Sequence, residues 1–470
     1  MAKYKQDDVV ELSIEDYGMD GEGIAKIDEF VFFVPYTVVG EKVKAKVTFV
    51  KKNLIFCQLK EIITISNDRV KPPCNRFARC GGCDLMHVDY SKQLSLKKKN
   101  VERLFAKNTS LDIKIDDTVA CSAPLGYRNK AQLPFGTVNG RVAVGFYKPS
   151  SHKVVSITKC FLHGEWVDKI IEVFLAYAND YGLTAYEENT HKGLLRHLVV
   201  RYLENSYCIV VVINGDKLPF QKELIERLRE KIGENFALYI SVKKERNNVI
   251  MGNSVFCIKP HVLKTNVLGI NMEINPFSFL QLNNEIRDKI YKRVIEEIEE
   301  NCKNYKDNII IDAYAGVGAL GAIIAKKGHK VVNVEIVKEG TEDGKKLAKE
   351  NGVSDRVTNL NGDASELLPK IINDLDKDTN TGVHVVLDPP RKGCSQEVLI
   401  ALKNLPVKNV VHYISCNPAT LTRDVEILTK DGTYAVEYVT PYDMFPQTKH
   451  VETLVCLTRR LDNELRERMN

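Results

Sequence analysis

No stretch of this sequence stays apolar long enough to cross a bilayer, and the opening Met1-Ala2-Lys3-Tyr4-Lys5-Gln6-Asp7-Asp8 lacks the apolar segment of a secretory leader. A cytoplasmic setting is therefore expected, and with it thiols, metal ligands or nucleophiles rather than disulfides for the twelve cysteines. Internal repeats and low-complexity tracts are also missing, so nothing argues for a repeat array or a tail-like binder. Acid is absent from residues 121–160, which carry six basic residues: Arg128, Lys130, Arg141, Lys148, Lys153 and Lys159. Residues 61–110 hold ten Lys/Arg against five Asp/Glu, an excess equal to the net +5 of the whole chain. Such stretches suit a polyanion, because each cation near a phosphate releases counterions. On charge alone, an ordinary solvated surface is the simpler explanation.

At 470 residues the chain is too long for one ordinary core, and 44% hydrophobic with 27% charged residues is a globular balance, so two or three domains are expected. Residues 6 to about 62 read as short strands between turns, with Gly18, Gly21 and Gly23 marking turns and further strands over 31–34, 42–47 and 54–57. That pattern fits a small barrel of the OB type, a frequent platform for single-stranded nucleic acid. Residues 63–90 form a cysteine-containing loop region, and 91–105 a lysine-rich amphipathic helix. Strand-like runs dominate from about 120 to 270; beyond about 275, apolar strands alternate with helical stretches, as in a mostly parallel, doubly wound sheet. The expected organisation is α/β: an OB-type RNA-binding barrel over 1–62, a β-rich middle domain over 63–270 and a Rossmann-like domain over 271–470, with the helix near 91–113 packing on the last.

In Asp312-Ala313-Tyr314-Ala315-Gly316-Val317-Gly318, two glycines follow a buried strand and open a helix, letting the backbone approach a ligand at the carboxyl end of the sheet. Glu335, at the tip of the next strand, is placed to bind both ribose hydroxyls of a nucleoside. Together they indicate a nucleoside cofactor without separating NAD from S-adenosylmethionine. The separation comes at Asp388-Pro389-Pro390-Arg391-Lys392-Gly393, a rigid turn projecting an acid and backbone carbonyls at a reacting centre, as methyl transfer to a nucleobase often requires. One strand later, Tyr413-Ile414-Ser415-Cys416-Asn417-Pro418 puts a cysteine at a strand end beside that centre, the place of a nucleophile rather than of a buried hydrophobe.

The strings S-C-N-P-A-T-L-x-R-D from Ser415, D-P-P-R-K-G from Asp388 and H-V-E-T-L from His450 resemble the RNA uracil-5-methyltransferase family. The resemblance spans nearly the whole chain. It implies a TRAM domain of OB type, a cluster-bearing middle domain and a C-terminal methyltransferase domain. It also implies a mechanism: Cys416 adds to C6 of a uracil so that C5 attacks the methyl group of S-adenosylmethionine, and Glu452 then removes the C5 proton. Carried over position by position, the donor contacts fall on Gln281, Tyr314, Glu335 and Asp388. Phe279, beside Gln281, is either a stacking surface for the extruded uracil or a core residue, and Asp363 faces the adenine on a looser match.

Cys74, Cys80, Cys83 and the distant Cys160 resemble the family's ligand set for a [4Fe–4S] cluster. Zinc is the competing occupant of a four-cysteine shell, although three local ligands with one 77 positions beyond Cys83 depart from the two close pairs usual for it. The C-x3-C-x2-C pattern of radical enzymes is absent around these residues, so the cluster is expected to be structural or to assist RNA folding. Cys394 is the other candidate reactive thiol. The resemblance implies a uridine of 23S ribosomal RNA as substrate, with no membrane and no obligate protein partner. A transfer-RNA uracil-5-methyltransferase remains the nearest alternative; an RNA-binding or RNA-folding module with an inactive methyltransferase domain is the alternative from another class.

Overall fold

The computed structural model describes residues 3–303, 307–375, 381–405 and 409–460. Among them, the N-terminal six-stranded sheet runs in the order Val9–Ser13, Lys42–Lys51, Leu54–Thr64, Phe30–Val34, Gly23–Ile27 and Asp16–Tyr17. Alternation does the sorting here: Val43, Ala45 and Val47 enter a core with Leu12, Phe32, Val34 and Ile55, while Lys42, Lys44 and Lys46 point the other way. The same rule turns aromatic rings outward. Phe33 and Phe56 stack at 5.2 Å on adjacent strands, and Phe49, opposite Phe56, is 58% exposed.

The lysine-rich helix spans Tyr90–Asn108, capped by the Asp89 side chain, and lies against the helix Pro418–Thr429 and the strand Tyr434–Tyr442 of the C-terminal part. Its lysines are not all solvated: Lys97 is fully buried and ion-paired with the equally buried Asp443.

The middle sheet runs Ser254–Lys259, Phe236–Val242, Ser206–Ile213, Leu195–Leu203, Lys130–Val138, Arg141–Tyr147, Val154–Ser156. Two helices, Glu165–Asp180 and Gln221–Ile232, join its core, and the strand-like texture of this region conceals both. The signal was the helical spacing of Trp166, Val167, Ile170, Ile171 and Phe174, all buried.

The C-terminal sheet has seven strands among the described residues, ordered Val357–Asn361, Lys330–Glu335, Asp307–Asp312, Thr381–Leu387, Asn409–Ser415, Glu452–Arg459, Tyr434–Tyr442. The first five are parallel, and Glu452–Arg459 is antiparallel to both its neighbours. Apolar clusters cover both faces, one built with the helices Asn284–Cys302 and Ala319–Lys326, the other with Ala364–Asp374, Gln396–Lys403 and Pro418–Thr429. No helix among the described residues is long and apolar enough to cross a membrane.

Candidate active site

Strand order reverses between Asp307–Asp312 and Thr381–Leu387, and the crevice over their carboxyl ends opens into a cavity of about 600 Å³. Gln281, Tyr314, Glu335, Asp388, Cys416 and Glu452 all line it. Sequence-distant residues thus meet at one place.

The glycine turn is built for close approach. Gly316 and Gly318 have φ of +56° and +71°, and a Cβ on Gly318 would stand 2.6 Å from Asn333 Nδ2. Glu335 is locked to this turn: Gly316 N–H donates to its Oε2 (2.8 Å) and Val337 N–H to its Oε1 (2.7 Å). The middle domain holds the Gln281 segment. Asn129 donates from its side chain to the Gln281 carbonyl (2.9 Å) and from its backbone to that of Leu282 (3.0 Å), and buried Arg201 donates to Ser278 O (3.2 Å). Gln281 in turn donates to Asp388 Oδ2 at 3.4 Å.

Cys416 and Glu452 meet through strand register. Ser415 pairs with Thr453 across the antiparallel ladder, so one further step sets Cys416 beside Glu452. The turn after Cys416 is fixed by Asn417, whose side-chain oxygen caps the following helix through Ala419 N–H (3.2 Å), with Pro418 at its first turn. The Asn417 amide also donates to Arg391 O (2.9 Å), tying the turn after Cys416 to the D-P-P turn. Beneath both, buried Asp424 accepts from the Tyr413 hydroxyl (2.6 Å) and from Cys394 N–H (2.8 Å).

The cavity is short of positive charge. Burial, reinforced for Asp312 by its carboxyl neighbours, pushes Asp312 and Asp388 up to about 7. Burial and then the charge of Asp388 hold Glu452 well above the usual carboxylate range, and its Oε1 has no hydrogen-bond partner among the described residues. Burial, followed by the Glu452 charge, pushes Cys416 up to about 11, with Arg391 acting in the opposite direction.

Asp312, Tyr291, Arg391 and Phe445 share the lining without having been singled out for it. Asp312 and Arg391 stood inside the quoted strings; Tyr291 and Phe445 carry no local signal. Phe279 is 64% exposed on the cavity rim, which removes the core-packing alternative. Asp363 is not among the lining residues: its carboxylate caps the helix Ala364–Asp374 through Ser365. Nor is Cys394 a reactive thiol, since burial puts it at 5% exposure and pushes it up to about 12.

Cys74, Cys80, Cys83 and Cys160 converge elsewhere, around a pocket of about 30 Å³ that Arg128, Phe77, Met86 and Phe146 also line. All four are free thiols. Burial pushes Cys160 up to about 11 and raises Cys80 and Cys83, to which the neighbouring thiols add. Arg128 faces these sulfurs, and Lys130 is partly buried, so this part of the acid-free stretch turns inward rather than offering a phosphate-binding surface. Arg76, Arg79 and Lys148 line an open groove alongside. The thiol pocket also reaches the catalytic edge: Asp84 and Leu85 N–H donate to Gln447 O (3.1 and 3.0 Å), and the Tyr127 hydroxyl, itself bonded by Arg128, donates to Pro446 O (3.1 Å).

The doubly wound sheet with a crevice at its reversal point, together with the family match, defines a methyltransferase that uses S-adenosylmethionine and acts on RNA. The profile of the family described as tRNA (uracil-5-)-methyltransferase matches residues 89–460, and that of the TRAM domain residues 5–60. The chain belongs to this family of RNA uracil-5-methyltransferases and carries an N-terminal TRAM domain. It is 35% identical to an uncharacterized RNA methyltransferase of Clostridium tetani over 97% of both chains, and 35% identical to one of Listeria innocua over 97% of this chain and 98% of the other. Among solved structures, it shares the fold of the Pyrococcus abyssi tRNA (uracil-54, C5)-methyltransferase in complex with S-adenosyl-L-homocysteine, with a TM-score of 0.74 at 22% identity, covering 95% of this chain and 100% of that one.

Proposed function

We propose that this protein methylates C5 of a uridine in 23S ribosomal RNA through a covalent adduct between Cys416 and C6 of the base. The observation that carries the chemistry is the placement of a half-buried thiol beside an unpartnered buried carboxyl over one donor-sized cavity. Cys416 passes its proton to solvent and its sulfur bonds to C6, moving the C5=C6 electron pair into an enolate on C4–O4. C5 then takes the methyl group, and the donor leaves as a neutral thioether. Glu452 accepts the C5 proton, the double bond re-forms, and the C6–sulfur bond breaks to return the Cys416 thiolate.

The charge pattern gives this sequence its timing. Asp388, Asp312 and Glu452 form a pocket for a cationic sulfonium, which draws the carboxyls towards their anionic forms. Methyl transfer abolishes that positive charge. Glu452 is then left as an anion in a buried site, and its basicity is greatest at the stage where the C5 proton must be removed.

The four thiols fit a [4Fe–4S] cluster. They line one pocket, with three local ligands and one 77 positions beyond Cys83, a departure from the two close pairs usual for zinc. Cys74, Cys80, Cys83 and Cys160 would hold the cluster, and Arg128 would offset the charge of the four thiolates. This ligand set favours a ribosomal over a transfer-RNA target, because the family resemblance associates it with ribosomal-RNA enzymes. Exposed Phe49 and Phe56, with half-buried Phe33 stacked beside them, offer unpaired bases a stacking surface, and the Arg76–Arg79–Lys148 groove offers their phosphates positive charge.

A mass map of modified uridines from cells lacking the gene tests the target. Loss of 5-methyluridine from 23S RNA alone is expected; loss from transfer RNA would move the substrate, and no loss anywhere would leave only an RNA-binding role. With the purified protein, Glu452→Gln is expected to accumulate an RNA–protein adduct on a denaturing gel, because methylation proceeds but elimination stalls. Absence of any adduct would remove Glu452 from the base role.

A further inference from the structure

The middle of the catalytic sheet carries a second cluster of ligating side chains that the methyl-transfer reaction does not use. His412 and Cys456 are cross-strand partners, Tyr438 partners Cys456 on the edge strand, and Glu297 of the helix Asn284–Cys302 lies over that face. One ring nitrogen of His412, the Cys456 sulfur and a Glu297 oxygen lie within 4.8 Å of one another, the only such trio among the described residues. His412 is fully buried, yet neither ring nitrogen has a hydrogen-bond partner among the described residues; Glu297 Oε2 stands 3.6 Å from Nδ1. Buried polar groups are ordinarily paired, and one left unpaired points to an occupant. His384, stacked on His412 at 6.0 Å, also leaves Nδ1 without a partner.

We propose that Glu297, His412 and Cys456 form a zinc site that clamps the helix Asn284–Cys302 to the two strands presenting Cys416 and Glu452. The donor set of one imidazole, one thiolate and one carboxylate suits zinc, whose ligand atoms stand about 3.4–3.8 Å apart, so the trio closes by side-chain movement alone. Carboxylate and thiolate together balance the two positive charges, and the Cys456 proton passes to solvent as the zinc–sulfur bond forms. Burial keeps His412 neutral, the state in which an imidazole ligates. The Tyr438 hydroxyl donates to Glu297 Oε2 at 2.7 Å and orients the carboxylate. Arg293, now ion-paired with Glu297, is half exposed and swings to water when the cation takes its place. His412 precedes Cys416 by four residues and Cys456 follows Glu452 by four, which sets the zinc about 13 Å along the strands from the reacting atoms. The site is structural.

The test loads the chelator-stripped, full-length protein with zinc, removes excess metal by gel filtration, and reads metal content and the zinc K-edge absorption spectrum. One retained equivalent with a shell of a single sulfur and two or three nitrogen or oxygen scatterers is expected, together with loss of that zinc in Cys456→Ser and His412→Gln. A four-sulfur shell would place the metal in the other cysteine pocket and overturn the proposal. So would no retained zinc, or full retention by both variants. Should either variant misfold, the wild-type shell decides alone.

Discussion

The catalytic cleft and the four-thiol pocket pose the same electrostatic problem and solve its mechanics differently. In both, burial raises the pKa of groups that must be anionic to work, so the incoming ligand must bring positive charge. In the cleft, the anions stand at strand ends whose register is set by the ladder itself, with Cys416, Asp388 and Glu452 following or opening regular strands. In the thiol pocket, Cys74, Cys80 and Cys83 stand in the turns between the strand ending at Thr64 and the helix starting at Tyr90. The cleft is framed by regular ladders, whereas the thiol pocket is walled by turns.

The largest expected effect breaks the chemistry and spares the frame. On the proposed mechanism, Cys416→Ala removes the group that activates C5, and single-turnover methyl transfer to RNA should fall on the order of 10⁴-fold or more. Its sulfur lies at a turn already held by Asn417, so the thermal midpoint should stay within about 2 °C of wild type. Turnover within tenfold of wild type would end the covalent mechanism.

Cys83→Ser should reverse that signature. If the proposed cluster is held there, the variant should lose its iron, and limited proteolysis should cut within residues 66–89 while the cleft still binds S-adenosylhomocysteine with little change in affinity. Turnover should fall more modestly, because the 443–450 segment loses the support that Asp84, Leu85 and Tyr127 give it. An unchanged proteolytic pattern in iron-free protein would show the pocket to be as preorganised as the cleft.

The same contrast explains what the sequence made legible. Cys416, Glu452, Gln281, Tyr314, Glu335 and Asp388 could be named because strand-end chemistry is written in short contiguous strings, and all six line one cavity. Lys97 could not be read: its partner Asp443 lies 346 positions away, and a lysine on a lysine-rich helix looks solvated until that partner is known. Arg128 looked like part of a phosphate-binding stretch for the same reason, since only the fold brings it to the sulfurs of Cys83 and Cys160. Asp363 carries a role that the local match did not suggest: its Oδ1 caps the helix Ala364–Asp374 through Ser365, a common use of an aspartate before Ala-Ser-Glu. Cys394, adjacent to the D-P-P-R-K-G string, is buried, and burial raises its thiol pKa while Tyr413 and Asp424 hold its backbone N–H.

The smallest expected effect probes the cleft's charge directly. Asp388 at about 7 holds a proton below neutrality, and a sulfonium prefers the anion, so donor binding below that point must release a proton. Affinity for S-adenosylmethionine should therefore climb with pH by up to about tenfold per unit between roughly pH 5.5 and 7, then level off. S-adenosylhomocysteine, alike in every other group but uncharged at sulfur, should show almost no slope, so the ratio of the two affinities isolates the carboxyls from the rest of the site. The free protein should move in the opposite sense. Carboxyls raised in the folded state hold protons more tightly than in the unfolded chain, so stability falls as pH rises from the ordinary carboxylate range towards 7, and the methyl donor restores it. Calorimetric titration of both ligands across this range reads the slopes. Parallel slopes would mean that the buried acids are paired by something other than the sulfonium, and the timing argument for Glu452 would fall with them.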